Sequence, residues 1–380
     1  MRRISIVIFF AILTNTVYSA EPAGNLICSV LTVSPGDELY STFGHTAIRI
    51  QDLQKGNDYV FNYGTFDFNT PDFYIKFALG KLDYLLSLDS FNDFLESCKG
   101  EGRSIKEQVL NFNKDQSLKL IQLLIENYKP QNRYYRYKFF TDNCSTRVRD
   151  IIVLASGDSL LLEKPKVEVN CTFRTLFTRY LKTMPWSRFG IELVLGKLTD
   201  EKAGYNSLFV PDDLQESINL AKISGKPLVS EEHTIVDFYP QIAKFNFFSP
   251  IFLAILILIS TLIIQLRKQW ILIYDKVYFS LFGILGLFIA FLSIFSEHDE
   301  LHNNLVILFL LPTNIILPFL KPSSFRRYYC LIAFLIVLLG LILLPLLPQK
   351  FNFAFILLIV AMGIRYYFNI LKKSNLTKTV

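Results

Sequence analysis

From residue 249 onward the chain is too apolar to face water. Five stretches, 249–266, 277–295, 304–320, 331–347 and 351–367, each come near the ~17–25 residues that cross a hydrocarbon core of about 30 Å. Their connections alternate in charge. Arg267, Lys268 and Lys276 flank the first connection and Lys321, Arg326 and Arg327 the third, and Lys372, Lys373 and Lys378 follow the last stretch. The second connection carries Glu297, Asp299 and Glu300, and the fourth only Lys350. Positive charge marks the cytoplasmic side of a membrane protein, which predicts a cytoplasmic C-terminus and an exported N-terminal half. The net charge of +6 is then largely an insertion signal, and no nucleic-acid partner is expected.

The N-terminus points the same way. Arg2 and Arg3 precede an apolar run from Ile4 to Leu13, and small residues at Val17 and Ser19 suit a cleavage site. Ten or so apolar residues make a secretory signal peptide rather than a span. The expected division is a signal peptide over 1–19, an extracytoplasmic, periplasmic domain over 20–245, and a five-helix membrane domain over 246–380, seated in the cytoplasmic (inner) membrane. Five cysteines are few for an exported chain: Cys330 lies in the membrane half, and Cys28, Cys98 and Cys171 allow one disulfide of undetermined pairing beside a free Cys144.

Within the exported half, Ser34–Pro35–Gly36 marks a turn, and the run from His45 to Ile50 alternates as a half-buried strand. His45, Ala47 and Arg49 share one face, Ile48 and Ile50 the other. Lys55–Gly56–Asn57–Asp58 reads as a hairpin loop, and its return strand, residues 59–64, brings Asn62 or a neighbour beside His45. Farther on, Asn113 caps a helix that runs to Tyr128. An aromatic run, residues 134–140, leads into Asp142–Asn143–Cys144–Ser145–Thr146. Beyond it Val148, Ile151, Ile152 and Ala155 recur at helical spacing up to Gly157. Asp142 or Asn143 is the N-cap, so Cys144 falls in the first turn of an amphipathic helix.

That position has chemical consequences. The unpaired amides and dipole of a helix start favour a thiolate, and cysteine pKa values in such settings drop from ~8.5 toward ~3.5–7.5. The same amides can hold an oxyanion. Taken singly, Cys144 reads as a buried thiol and His45 as a satisfied strand histidine. Scarcity links them, since of four histidines only His45 and His233 lie in the exported half. A thiol and an imidazole suffice for covalent acyl chemistry. Asn62 and Asn143 are candidates for orienting the imidazole or holding an oxyanion. Tyr63, Arg103 and Tyr137 are candidates for substrate contact, although a solvated arginine and core aromatics are the plainer readings. His298 and His302 in the acidic connection are weak grounds for a metal. No serine elbow, zinc motif or phosphate loop occurs, and the pair needs no cofactor.

Three blocks carry a resemblance: Tyr40–Ser41–Thr42–Phe43–Gly44–His45–Thr46–Ala47–Ile48–Arg49, Asn62–Tyr63–Gly64–Thr65–Phe66–Asp67 and Asp142–Asn143–Cys144–Ser145–Thr146. They resemble the extracytoplasmic domain of Lnb-type lipoprotein N-acyltransferases over roughly residues 25–220, and the five-span tail resembles a membrane-bound branch of that family. A histidine strand preceding an Asn-Cys helix start also resembles circularly permuted papain-like folds such as lecithin–retinol acyltransferase. The resemblance implies an α+β cysteine–histidine domain followed by a transmembrane domain. It also implies an acyltransferase acting on diacylglyceryl lipoproteins or phospholipids, with Cys144 and His45 matching the catalytic pair. His298, followed by Asn303–Asn304, resembles a recurring feature of that branch's outer loop. The competing readings are an extracytoplasmic cysteine peptidase or amidase and a non-enzymatic membrane scaffold.

Overall fold

The computed structural model describes residues 26–157, 160–162, 171–238, 247–321 and 323–371. The expected signal peptide, the division near residue 245 and the C-terminal lysines lie outside the described residues.

Alternation of apolar and polar residues builds the first layer. Strands β1 (Leu26–Val33), β2 (His45–Asp52), β3 (Asn57–Thr65), β4 (Asp83–Ser90), β5 (Ile105–Leu110) and β6 (Tyr134–Arg136) form an antiparallel sheet. A late strand, β10 (Val229–Val236), completes it in the order β10-β5-β1-β2-β3-β4-β6. The short strands β7 (Leu160–Leu161), β8 (Lys222–Ile223) and β9 (Lys226–Pro227) make a separate small sheet.

Period two sends each strand's residues to opposite faces. Val30, Ile48, Phe61, Tyr63 and Leu86 pack on helices α3 (Lys114–Tyr128) and α4 (Cys144–Ser156), through Leu120, Leu124, Val148 and Ile152. Leu31, Val33, Ala47, Val60 and Ile105 pack on α2 (Phe91–Gly100), through Phe91, Phe94 and Cys98. On this second side the buried Arg49 is neutralised by Asp58 at 2.6 Å and Glu107 at 3.1 Å, so its charge is paired where water is excluded. Cys28 and Cys98 are buried free thiols and Cys171 is a half-buried one, so the disulfide allowed by the sequence is not formed.

The remaining helices of the exported half are α1 (Phe73–Ala78), α5 (Phe173–Thr178), α6 (Pro185–Val194) and α7 (Pro211–Leu220). The apolar half is helical: α8 (Pro250–Ile263), α9 (Ile271–Phe295), α10 (Ser324–Ile342) and α11 (Phe353–Leu371). Among the described residues three helical segments, Lys268–Phe295, Ser324–Ile342 and Phe353–Leu371, are long and apolar enough to cross a membrane, and Pro250–Leu266 is shorter. The third predicted stretch is not one straight helix. It is a pair of short helical segments, Asp299–Leu308 and Pro312–Phe319, bent by 57°. Pro312 and Pro318 cannot donate an amide hydrogen bond, which breaks the helix there. The pair nests on α9 where Gly283 and Gly286 face Ile315 and Leu310, and a side chain at either glycine would strike their backbone. At one end of the bundle Asp275 of α9 is buried with Arg365 of α11, Nε to Oδ1 at 3.0 Å. Asn369 completes that carboxylate at 3.2 Å and Arg326 of α10 donates to Asn369 at 2.9 Å.

The two halves are sewn together by the loop that follows α9. The Glu297 amide donates to the Leu79 carbonyl at 2.8 Å, the Ser296 hydroxyl to Ala78 at 2.9 Å and His298 Nε2 to Phe77 at 2.9 Å. These carbonyls lie at the end of α1, where the last C=O groups of a helix have no partner further along it, although Phe77 also accepts the Gly80 amide at 3.0 Å. Burial lowers the His298 pKa, but the hydrogen bond and charge of Glu300, with the Phe77 carbonyl and the charge of Asp299, together overcome it and hold the ring above its ordinary value. A second seam joins Gly196 to Glu300 at 2.8 Å, Gln349 to Leu195 at 3.0 Å and Asn304 to Leu193 at 2.8 Å.

Candidate active site

Cys144 is the first residue of α4. Asn143 makes it so: its side-chain oxygen accepts the Thr146 amide at 2.9 Å, and the Thr146 hydroxyl accepts the Asn143 amide at 2.8 Å. This reciprocal cap fixes the helix start. The Asn143 side-chain amide donates to the Phe139 carbonyl at 2.9 Å and the Phe209 carbonyl at 2.8 Å. Both of its N–H groups are therefore engaged, and as an oxyanion donor the side chain is ruled out. It holds the helix instead.

His45 opens β2. Its ring reaches Asn62, Nε2 to Oδ1 at 3.2 Å, and Asn62 Nδ2 donates to Asp89 at 2.6 Å. A carboxylate only accepts, so Asp89 fixes which end of the Asn62 amide faces the ring. That end is the oxygen, and an oxygen demands a donor. In its neutral form His45 then donates from Nε2 to Asn62, which leaves Nδ1 as the nitrogen able to accept the thiol's proton. Ser87 supports Asp89 at 3.2 Å, and Thr65 bonds Ser87 at 2.8 Å.

Sulfur and ring meet at the end of the sheet's central strands, where β2 begins and β3 runs out. The β2–β3 pairing, Ile48 with Phe61, places Gly64 opposite His45 when continued. Gly64 has φ +91°, a backbone conformation that side chains rarely adopt, and a Cβ there would crowd Tyr137 at 3.3 Å while only touching the Cys144 Cβ at 3.7 Å. The Cys144 sulfur accepts from the Thr46 amide and hydrogen-bonds His45 and the Ser145 hydroxyl. Ser145 is itself tied to Thr46 at 3.0 Å. Burial pushes this thiol up, but the charge and hydrogen bond of His45 with the Thr46 amide overcome it, and the pKa falls to about 7. Cys28 and Cys98, buried without such partners, rise to about 11.

Tyr137 hydrogen-bonds the same sulfur, and its phenol is held well above its ordinary pKa by burial and by Cys144. It remains a donor. The other two candidates for substrate contact lie elsewhere. Tyr63 points into the core, 1% exposed, with its hydroxyl on Asn127 at 2.8 Å. Alternation puts it on the face of Phe61, away from His45. Arg103 is buried and braces its own loop, through the Ser34 carbonyl at 2.8 Å and Glu101 at 3.0 Å. Asp89, Thr46 and Ser145 escaped the sequence reading. The alternation Ser87–Leu88–Asp89 beside the Asn62 strand is the signal that could have found Asp89. No cluster of metal-ligating side chains occurs among the described residues.

A family model described as the Lnb N-terminal periplasmic domain matches residues 18–179, and one described as the Lnb transmembrane domain matches residues 242–376. Together they span more than three quarters of the chain. The two descriptions make this an inner-membrane protein whose N-terminal domain is extracytoplasmic. No curated protein and no solved structure gives a significant match.

Proposed function

Since the chain belongs to the Lnb family, we propose that it is a lipoprotein N-acyltransferase working through a Cys144 thioester. The observation that carries this reading is the Cys144–His45–Asn62–Asp89 line, in which each group sets the state of the next. A histidine strand ahead of the cysteine helix, with an asparagine as third member, also supports a permuted papain-like arrangement.

In the first half-reaction His45 Nδ1 takes the Cys144 proton and the sulfur attacks the carbonyl carbon of the sn-2 ester on a diacylglyceryl lipoprotein. The tetrahedral oxyanion lies at the helix start, where the Cys144 amide has no partner in the helix. The carbon–oxygen bond to glycerol then breaks, and His45 returns its proton to the departing oxygen, leaving an acyl thioester and a lyso lipoprotein. In the second half-reaction the lipoprotein's α-amino group attacks the thioester. The carbon–sulfur bond breaks, the amine's proton passes through His45, and Cys144 is regenerated beside an N-acylated product. Asn62 holds Nε2–H throughout, so the ring cannot rotate away. Tethering ester and nucleophile to one membrane surface supplies proximity. The domain limits at residues 19 and 245 and a cytoplasmic C-terminus belong to the same proposal.

The test is mass spectrometry of lipoprotein N-termini from cells with and without the protein, alongside intact mass of the wild-type and Cys144→Ala chains. An acyl adduct on the wild-type chain alone, with N-acylation lost when the protein is absent, is expected. A peptide adduct with unchanged lipoprotein acylation would turn the reading toward a peptidase or amidase.

A further inference from the structure

The segment between β3 and β4 exposes aromatic surface that a water-facing loop has no use for. Tyr74 is 79% exposed and Ile75 62%, and Phe68, Phe77 and the neighbouring Tyr40 are each about half exposed. Surface of this kind, contiguous and apolar, marks a contact with lipid or protein. Its position decides between them. Three carbonyls at the end of α1 are capped by Ser296, Glu297 and His298, the residues that leave the membrane-crossing helix α9 at Phe295. The loop touches the extracytoplasmic domain, so α1 is pinned at the outer surface of the bilayer. Lys76 and Lys81 lie beside these aromatics, where their ammonium groups can reach the headgroup layer.

The patch is also continuous with the sulfur. Phe73 meets Phe66 at 5.7 Å between ring centres, Phe66 meets Tyr84 at 5.3 Å, and Tyr84 stacks on Tyr137 at 4.5 Å. Tyr137 hydrogen-bonds Cys144. An unbroken aromatic wall thus runs from the exposed face of α1 to the reacting atom.

We propose that α1 and its flanking aromatics dip into the outer leaflet, and that the wall behind them guides a lipid acyl chain from the bilayer to Cys144. The second half of this statement rests on the acyl-transfer reading above; the first does not.

The full chain, reconstituted in phosphatidylcholine vesicles with brominated acyl chains, tests it. Tyr74→Trp and Ile75→Trp report α1, and Leu53→Trp reports the hairpin at the other end of β2, roughly 25 Å away at 3.3 Å per residue. Difference spectra against the wild type remove Trp186 and Trp270, the two native tryptophans. Blue-shifted emission, quenched at least twofold at 74 or 75 and unquenched at 53, is expected. Water-like emission at both α1 positions, or equal quenching at all three, overturns the proposal. For the guiding step, Ile75→Asp is expected to slow Cys144 acylation by a vesicle-borne long-chain ester at least tenfold while acylation by a short, soluble ester is unchanged. An equal loss for both esters overturns that step. Absence of acylation by either ester in the wild type would sink the acyl-transfer reading yet leave the quenching result standing.

Discussion

Cys28, Cys98 and Cys144 are all buried, yet burial dominates only the first two. A thiol pKa depressed to about 7 means that the thiolate fraction climbs as pH rises through 7, below the range of an ordinary thiol. Carboxymethylation of Cys144 by iodoacetamide is expected to reach half its maximal rate near pH 7, as read by intact mass. In His45→Gln burial is no longer opposed by the imidazole, and the midpoint should move above the ~8.5 of a free cysteine. An unmoved midpoint would break the link between the two residues. Asp89→Asn carries a subtler expectation. A neutral amide accepts either orientation of Asn62, and the flipped one moves the His45 proton to Nδ1, where it cannot receive the thiol's. Acylation should drop at least tenfold, up to the ~10²–10⁴ that a positioned base contributes, with the melting temperature unchanged. Unaltered acylation in Asp89→Asn would show that the carboxylate does not set the tautomer. At this scale the sequence was informative about residues near each other along the chain. Helix-start chemistry marked Cys144 and hairpin return placed Asn62. Asp89 stayed hidden because it enters through a third strand, and Tyr63 misled because its neighbours in sequence belong to the site while its side chain belongs to the core.

Element by element, the site depends on two small local features. Asn143 caps α4 and satisfies two carbonyls from other segments. Asn143→Ala should lower stability by about 1 kcal/mol for the cap, and further for the orphaned carbonyls, as measured by chemical denaturation. Gly64 has φ +91° at the bulge between Tyr63 and Thr65. Gly64→Ala is expected to cost on the order of 1–3 kcal/mol through its strained backbone and to change Cys144 alkylation by shifting Tyr137, which hydrogen-bonds the sulfur. Wild-type stability and alkylation kinetics in that variant would mean that neither the turn nor Tyr137 depends on a glycine here. The helices were legible because caps and periodicity are local: Asn113 and Asn143 each start one where expected. The bent third stretch was less so. Hydropathy counts apolar residues, and it is blind to Pro312 and Pro318, which are as apolar as a span and incompatible with a straight one.

Across the whole molecule, the exported domain rests on the membrane domain through backbone carbonyls, the Lys138–Asp299 ion pair and apolar packing of Leu292 and Leu301 on Leu176 and Phe177. Contacts between segments so far apart leave no periodic trace in a sequence, which is why the part His298 plays in holding α1 was not legible there. Gly196 is the narrowest point of the seam, for a side chain there would collide with the His302 carbonyl. Gly196→Ala is expected to split thermal unfolding into two transitions while Cys144 alkylation keeps its rate. A single unshifted transition would show that the halves are coupled elsewhere.

The Asp275–Arg365 pair bears on how such a chain is made. Each partner sits on a different helix, separated by ninety positions, and neither is tolerable to hydrocarbon on its own. Arg326 of α10 also stands 3.9 Å from the Asp275 carboxylate. A first cation therefore reaches the carboxylate with α10, and the closer Arg365 contact is made only when α11 packs.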